Sequence, residues 1–554
     1  TIHIYLMLNM RLSQKLSPSI FRLQGINYLS SSLLHNTNSK YLAKNKYGLF
    51  NAKKFCNSFA HTKNVKYFSQ SKETSPDIKP QENFSGKANP QNGDSNRFKY
   101  RYTEPIENLF IAKRVTVRTS YLFDPFKVNK EQMSAAVKST LHRYPILCCN
   151  AYTSPIGNYF KEVSAEFKNI HYIKLKTKDE WKELNENRPS TLFSHNVNDY
   201  LFAIIILEHS EQVIISLEVC HSIADGESMN ILLNSIMGDY SAFSRGVKFD
   251  PNSEFFKKMN FPLPQNAALY PDGYPSDVID RVKESVKKST EERPIKLRLP
   301  INLVNHTPHS EGCYISDRES TPEKLDEMKS FLKKHNISIQ YFFHAAAYVS
   351  LVSMFEEEEN KVCVLITRNT RGQQQGDKKK VIGHNSDGLV LKHFDVQTEK
   401  TLQEYANEDV RAVFEKSKNT PYYYIFKEIQ NDASQEILSV VENNMIDALV
   451  NNYGSYSHPH EYYIMNEKGE EEKINFRKFY YEVRGDGDGR EAVKIFFYTY
   501  KSINIYTMGF KDKKNKEILD RLASRVFELM ENSSQVANVK IKDLIQMLKT
   551  KYSG

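Results

Sequence analysis

The sequence predicts an α/β protein of two packed domains, and three observations predict it. At 554 residues the chain exceeds what one ordinary hydrophobic core organises. An apolar content of 40% with 12% aromatics belongs to a folded chain. Strand-like and helix-like hydrophobic periods then alternate through the first half and again through the second.

RVTVRTSYLF (114–123) alternates as a strand. NKEQMSAAVKSTLHRYPIL (129–147) sets Met133, Ala136, Val137, Leu141 and Tyr144 on one helical face, and Pro145 stops the helix. YLFAIIILEHSEQVIISLEVCHS (200–222) is two apolar runs about the polar turn 209–212, a hairpin of buried strands. A long helix follows to about Phe243. Residues 244–300 are polar and proline-containing and read as a crossover between halves. In the second half, 322–336 and 338–355 read as helices and KVCVLITR (361–368) as a buried strand. AVKIFFYTYKSINIYTMGF (492–510) alternates as a terminal strand pair, and LDRLASRVFELMEN (519–532) is the last helix expected.

Charge is distributed unevenly. Residues 1–72 carry eleven Lys or Arg and no acid, Glu73 being the first. Of 76 basic and 67 acidic residues, 65 and 67 therefore fall in 73–554, a net of −2 for the body. That balance leaves the body without a basic excess that would point to nucleic acid, and no nucleic-acid partner is expected. The longest apolar run, LFAIIIL (201–207), is far short of the roughly 20 residues a membrane helix needs, so no transmembrane segment is expected. The six cysteines show neither a C-x-x-C pair nor zinc spacing and are expected reduced and structural. No Walker or dinucleotide glycine motif occurs.

The arm reads as a mitochondrial transit segment, with the matrix as destination. RLSQKLSPSIFRL (11–23) spaces basic residues among apolar ones, and Lys66-Tyr67-Phe68-Ser69 resembles the surroundings of a matrix-peptidase cleavage site. Translation is expected to start at Met7 or Met10. The organisation expected is a basic arm (1–72), a linker (73–97), a first domain (98–250), a crossover (251–300), a second domain (301–535) and a tail (536–554).

The most informative segment is EVCHSIADGESMN (218–230). His221, Asp225 and Gly226 form H-x-x-x-D-G between the strand VIISLEV and the helical stretch SMNILLNSIM. A histidine at the end of a buried strand sits at a sheet rim with its backbone anchored, and its ordinary pKa near neutrality suits general-base work. Asp225 lies in the same turn and can organise it. Gly226 is expected to allow a tight turn into the helix.

This element resembles the active-site motif of the CoA-dependent acyltransferase superfamily, which includes condensation domains and alcohol O-acetyltransferases. Asn451-Asn452-Tyr453-Gly454-Ser455 resembles the family's S-N-x-G turn. Thr367 to Gly372 resembles its strand ending in Arg, and VIGHNSDGLVLKHF (381–394) its strand crossing between domains. The resemblance implies two chloramphenicol-acetyltransferase-like α/β sandwich domains in tandem with an active-site tunnel between them. It implies that His221 deprotonates a hydroxyl or amine acceptor, which attacks a thioester. Acyl-CoA is then a co-substrate, no cofactor or metal is bound, and the protein acts as a monomer. Asp225 is implied to salt-bridge an arginine of the second half, with Arg368 placed ahead of Arg371. Ser455 or Asn452 is expected to supply the oxyanion donor.

The match departs at Cys220, where condensation domains carry another histidine, and no D-F-G-W-G occurs, which disfavours a plant-type enzyme. A stand-alone acetyltransferase of the alcohol O-acetyltransferase kind fits best. The competing reading is a non-catalytic relative serving as a structural or assembly subunit of a mitochondrial complex. His209, His384 and His393 have no partner spacing, His458-Pro459-His460 lacks further metal ligands, and residues 484–490 read as a hairpin turn. Protein recovered from mitochondria is expected to begin between Ser69 and Glu73. Terminal sequencing that finds the arm intact in the cytosolic fraction defeats the import reading.

Overall fold

The computed structural model describes residues 100–552, apart from 113, 155–156, 164–165, 188–198, 264, 270–297, 302–312, 357–358, 374–380, 384, 418–445, 485–490 and 512. The basic arm, the linker, much of the crossover, His384 and the glycines of the 484–490 turn lie outside the described residues.

The first half begins with β1 (Tyr100–Tyr102) and α1 (Pro105–Ala112). β2 (Thr116–Phe123) is buried throughout. α2 (Lys130–Arg143) starts where the Asn129 side chain accepts from two N–H groups, and it buries Met133, Ala136, Val137 and Leu141 as the periodicity predicts. β3 (Cys149–Ser154), β4 (Gly157–Glu162) and β1 make a small three-stranded sheet. β5 (Ile170–Lys174), α3 (Glu180–Asn187), β6 (Phe202–His209), β7 (Gln212–Cys220) and α4 (Gly226–Ser244) complete this half.

The second half runs through β8 (Cys313–Glu319), α5 (Pro322–Lys334), α6 (Ile339–Met354), β9 (Lys361–Asn369) and β10 (Ser386–Asp395). After a short helical stretch at 402–417 come β11 (Ile446–Ser455), β12 (Glu461–Met465), β13 (Glu471–Arg484), β14 (Glu491–Tyr500) and β15 (Ser502–Phe510). α7 (Lys513–Glu531) and α8 (Ile541–Lys551) follow. Among the described residues no single helix is long and apolar enough to cross a membrane.

Two six-stranded sheets organise these elements, in the orders β12-β13-β2-β7-β6-β5 and β10-β9-β11-β14-β15-β8. Strands β12 and β13 therefore leave the second half to finish the first sheet. Two expectations change. The 381–394 segment does not cross over; it pairs antiparallel with β9 at the edge of the second sheet. Residues 536–554 are not a tail: α8 buries Ile541, Leu544 and Leu548 against the second core. A hydrophobic period specifies which face is buried, but not which strand or helix does the burying.

β14 shows how the layers meet. Val493, Ile495 and Phe497 belong to the core beneath α5 to α8, while Phe496, Tyr498 and Tyr500 join the core of the first half. Alternation along one strand thus builds both cores. Tyrosines then stitch the sheets together. β12 stops pairing at Asn475, leaving the far edge of β13 beyond it without a strand partner among the described residues. The Tyr500 hydroxyl donates to the Phe476 carbonyl at 3.2 Å, and the Tyr498 hydroxyl accepts from Phe479 N–H at 3.3 Å. The Tyr506 hydroxyl accepts from Tyr481 N–H at 2.8 Å and donates to its carbonyl at 3.1 Å. Buried backbone groups that a strand would have satisfied are satisfied by phenols.

Tyr506→Phe keeps the ring and strands both Tyr481 groups, so a stability loss of about 1–3 kcal/mol is expected in denaturant unfolding. An unchanged midpoint would mean that these hydroxyls do not stabilise the seam.

Candidate active site

β7 delivers the motif. All nine of its residues are buried between β2 and β6, so its end is fixed from both sides. His221 follows at once, and its N–H donates to the Val115 carbonyl at 2.8 Å. The side chain is 9% exposed. Its Nδ1 lies 2.9 Å from the Ala224 carbonyl, which can only accept, so Nδ1 carries the proton. In the neutral ring Nε2 then holds the lone pair. The ring of Phe110 lies flat on the imidazole, a contact for which the sequence holds no signal.

Asp225 is the N-cap of α4, its Oδ1 accepting from Ser228 N–H at 2.9 Å. Arg371 grips the same carboxylate with two bonds, Nη1 to Oδ2 and Nη2 to Oδ1, both 2.8 Å. Asn385 N–H adds another to Oδ2 at 3.0 Å. The Ser228 hydroxyl sits 2.8 Å from Oδ1, 2.8 Å from Arg371 Nη2 and 3.1 Å from Gly383 N–H, closing the network. Asp225 is 2% and Arg371 5% exposed. Burial alone would raise the carboxyl, but the Arg371 guanidinium and the Ser228 donors hold it at about 2. A carboxylate so saturated organises the loop and does not take protons at neutral pH.

The arginine expected first is not the partner. Arg368 donates to the Ser417 carbonyl, while Arg371, in the turn after β9, reaches Asp225. A strand residue points across its own sheet, whereas the turn lies over the N-terminus of α4. Ser228, three residues after the N-cap aspartate, stands at the position a capping side chain bonds, which sequence spacing alone shows.

Gly226 has a different reason from the one expected. Its φ is not in the left-handed region, but a Cβ there would lie 3.0 Å from Tyr453 Cε1 and 3.2 Å from Tyr481 Cε2. The approach of two rings, not the turn, is what favours glycine here. Tyr453 is thus the β11 side chain that reaches the motif. Of the oxyanion candidates, Asn452 accepts from Gly454 N–H at 2.7 Å through Oδ1, which leaves Nδ2–H as its donor, and Ser455 is exposed. Cys220, in the position where another histidine was looked for, has its thiol pushed up to about 11 by burial and stays protonated.

Three other described histidines have settings of their own. His209 Nδ1 accepts from Glu211 N–H at 3.2 Å, His393 sits at a bulge of β10 with φ +48°, and His458 pairs with Glu227 at 2.8 Å. Among the described residues no group of His, Cys, Asp or Glu could hold a metal ion.

No protein-family model matches this sequence, and no curated protein matches it. Solved structures do. The first condensation domain of the calcium-dependent antibiotic synthetase, with a substrate analogue, is 12% identical at a TM-score of 0.59, covering 80% of this chain and 98% of its own. Trichothecene 15-O-acetyltransferase from Fusarium sporotrichioides is 13% identical at 0.58, covering 79% and 97%. A variant starter condensation domain of rhizomide synthetase, in complex with C8-CoA, is 11% identical at 0.56, covering 80% and 97%. The chain shares the two-domain α/β fold of these condensation domains and of this acetyltransferase.

Asp225→Asn and Arg371→Gln are each expected to destabilise by about 3–5 kcal/mol, and the double variant by less than their sum. Additive losses in a double-mutant cycle refute the pair. The folded carboxyl, near 2, lies below its ordinary 3.8, so its contribution is full above about pH 4. It is lost as pH falls through 2, and the stability gap between wild type and the double variant should narrow over that window.

Proposed function

We propose that this protein is an acyltransferase that moves an acyl group from acyl-CoA, or another thioester, to a hydroxyl or amine acceptor, with His221 as general base. The observation that carries the reading is the His221 ring: Nδ1–H is committed to Ala224, leaving Nε2 as the proton acceptor. The fold, shared with a domain solved with C8-CoA and with an acetyltransferase, supports the thioester donor.

The acceptor O–H or N–H passes its proton to Nε2 as the oxygen or nitrogen attacks the thioester carbonyl. A tetrahedral oxyanion forms. Its collapse breaks the C–S bond and expels the thiolate, which takes the proton from the imidazolium and leaves as thiol. The Ala224 carbonyl supports the imidazolium in between through its Nδ1–H bond. Asp225 and Gly226 shape the loop that holds this ring and touch neither reactant. Asn452, through its Nδ2–H, or Ser455, through its hydroxyl, would supply the oxyanion donor from the second half. A tunnel between the two halves would bring donor and acceptor to the ring from opposite ends. The acid-free arm supports a place in the mitochondrial matrix.

The test is thiol release from a panel of acyl-CoAs with alcohol and amine acceptors, using purified protein. His221→Ala is expected to lower transfer by roughly 10²-fold or more with the fold intact. Equal turnover in variant and wild type rules out base catalysis here. Absence of thiol release from every donor favours a structural subunit.

A further inference from the structure

α1 lies against the imidazole of His221 and is tied to it twice. The Phe110 and His221 ring centroids are 4.5 Å apart, with planes 2° from parallel. Val115 N–H donates to the Phe110 carbonyl at 2.8 Å, and His221 N–H donates to the Val115 carbonyl at 2.8 Å. The turn after α1 is thereby joined to the backbone of the motif itself.

α1 is held in turn by its own anchor. Arg101 clasps Glu107 through Nη1–Oε2 at 2.8 Å and Nη2–Oε1 at 2.6 Å, and that carboxylate also accepts Glu104 N–H at 2.8 Å. Glu107 is 2% exposed. Ile111 is the neighbour that packs against the first core, while Phe110 is turned to the histidine.

A histidine side chain has two torsions. The Nδ1–H bond to Ala224 fixes the tautomer but constrains the ring at only one atom along its edge. A flat ring on one face resists rotation out of plane, so the stack adds to the bond in setting where Nε2 points. We propose that Phe110 is a positioning residue for His221, holding the imidazole plane so that Nε2 meets the acceptor's proton. This rests on His221 being the base.

The experiment compares Phe110→Ala, Phe110→Leu and Phe110→Tyr in the full chain. Alanine and leucine are expected to lower kcat roughly tenfold to a hundredfold, with KM within about twofold. Tyrosine keeps the flat face and keeps kcat. In a His221→Ala background Phe110→Ala should add nothing, since no base remains to be aligned. With histidine labelled in 15N and the His221 signals assigned by their loss in His221→Ala, wild type and Phe110→Tyr should show the Nδ1–H tautomer. Phe110→Ala and Phe110→Leu should keep that tautomer but shift and broaden the His221 Nε2 signal, because the ring is no longer held in one plane. An unchanged His221 spectrum with unchanged kcat in Phe110→Ala overturns the proposal. An equal loss of activity in both backgrounds overturns it too, by making Phe110 merely structural. If His221→Ala alone leaves turnover intact, base catalysis fails; the 15N spectra still decide whether Phe110 orients the ring.

Discussion

The buried pair between Asp225 and Arg371 is the interaction on which the rest of the site depends. Two charges almost out of water are tolerable only because each oxygen of the carboxylate and several N–H groups of the guanidinium are occupied. Those occupants come from distant parts of the chain. The N-cap of α4 lies in the first half, and Arg371, Gly383 and Asn385 lie in the second. Removing either charge would expose the other, so the pair acts as a latch that fixes the turn carrying His221.

The same economy governs the seam between the sheets. The second half sends β12 and β13 into the first sheet, which leaves β13 with an edge that needs partners. Tyrosine hydroxyls from β14 and β15 fill that need, and their rings supply the apolar contact. Gly226 belongs to this seam as much as to the motif, because Tyr453 and Tyr481 press against it. The residues next to His221 are therefore set by packing between halves. The His221 ring is thus held by its strand, its Nδ1–H bond, the stacked Phe110 ring and the Asp225–Arg371 latch.

Much of the architecture was legible. β2, α2, the β6–β7 hairpin, α4, α6 and β14–β15 each carry a hydrophobic period long enough to specify element type and buried face. The motif was legible because His221, Asp225 and Gly226 are close in sequence and bracketed by a strand and a helix. α8 was legible too, since Ile541, Leu544 and Leu548 repeat at helical spacing.

What the sequence by itself determined was local: which segments are helices and strands, which face each one buries, and that an H-x-x-x-D-G turn joins β7 to α4. Those properties follow from neighbours within a few residues. What only the tertiary structure decided was pairing at long range. The choice of Arg371 over Arg368 turned on which of two arginines, three residues apart, lies above the α4 N-terminus. The exchange of β12 and β13 turned on which sheet edge was open, and the placing of Phe110 on His221 joined residues over a hundred positions apart. Periodicity carries no information about such partners, because a strand edge or a charge is satisfied equally well by any group the fold brings within reach.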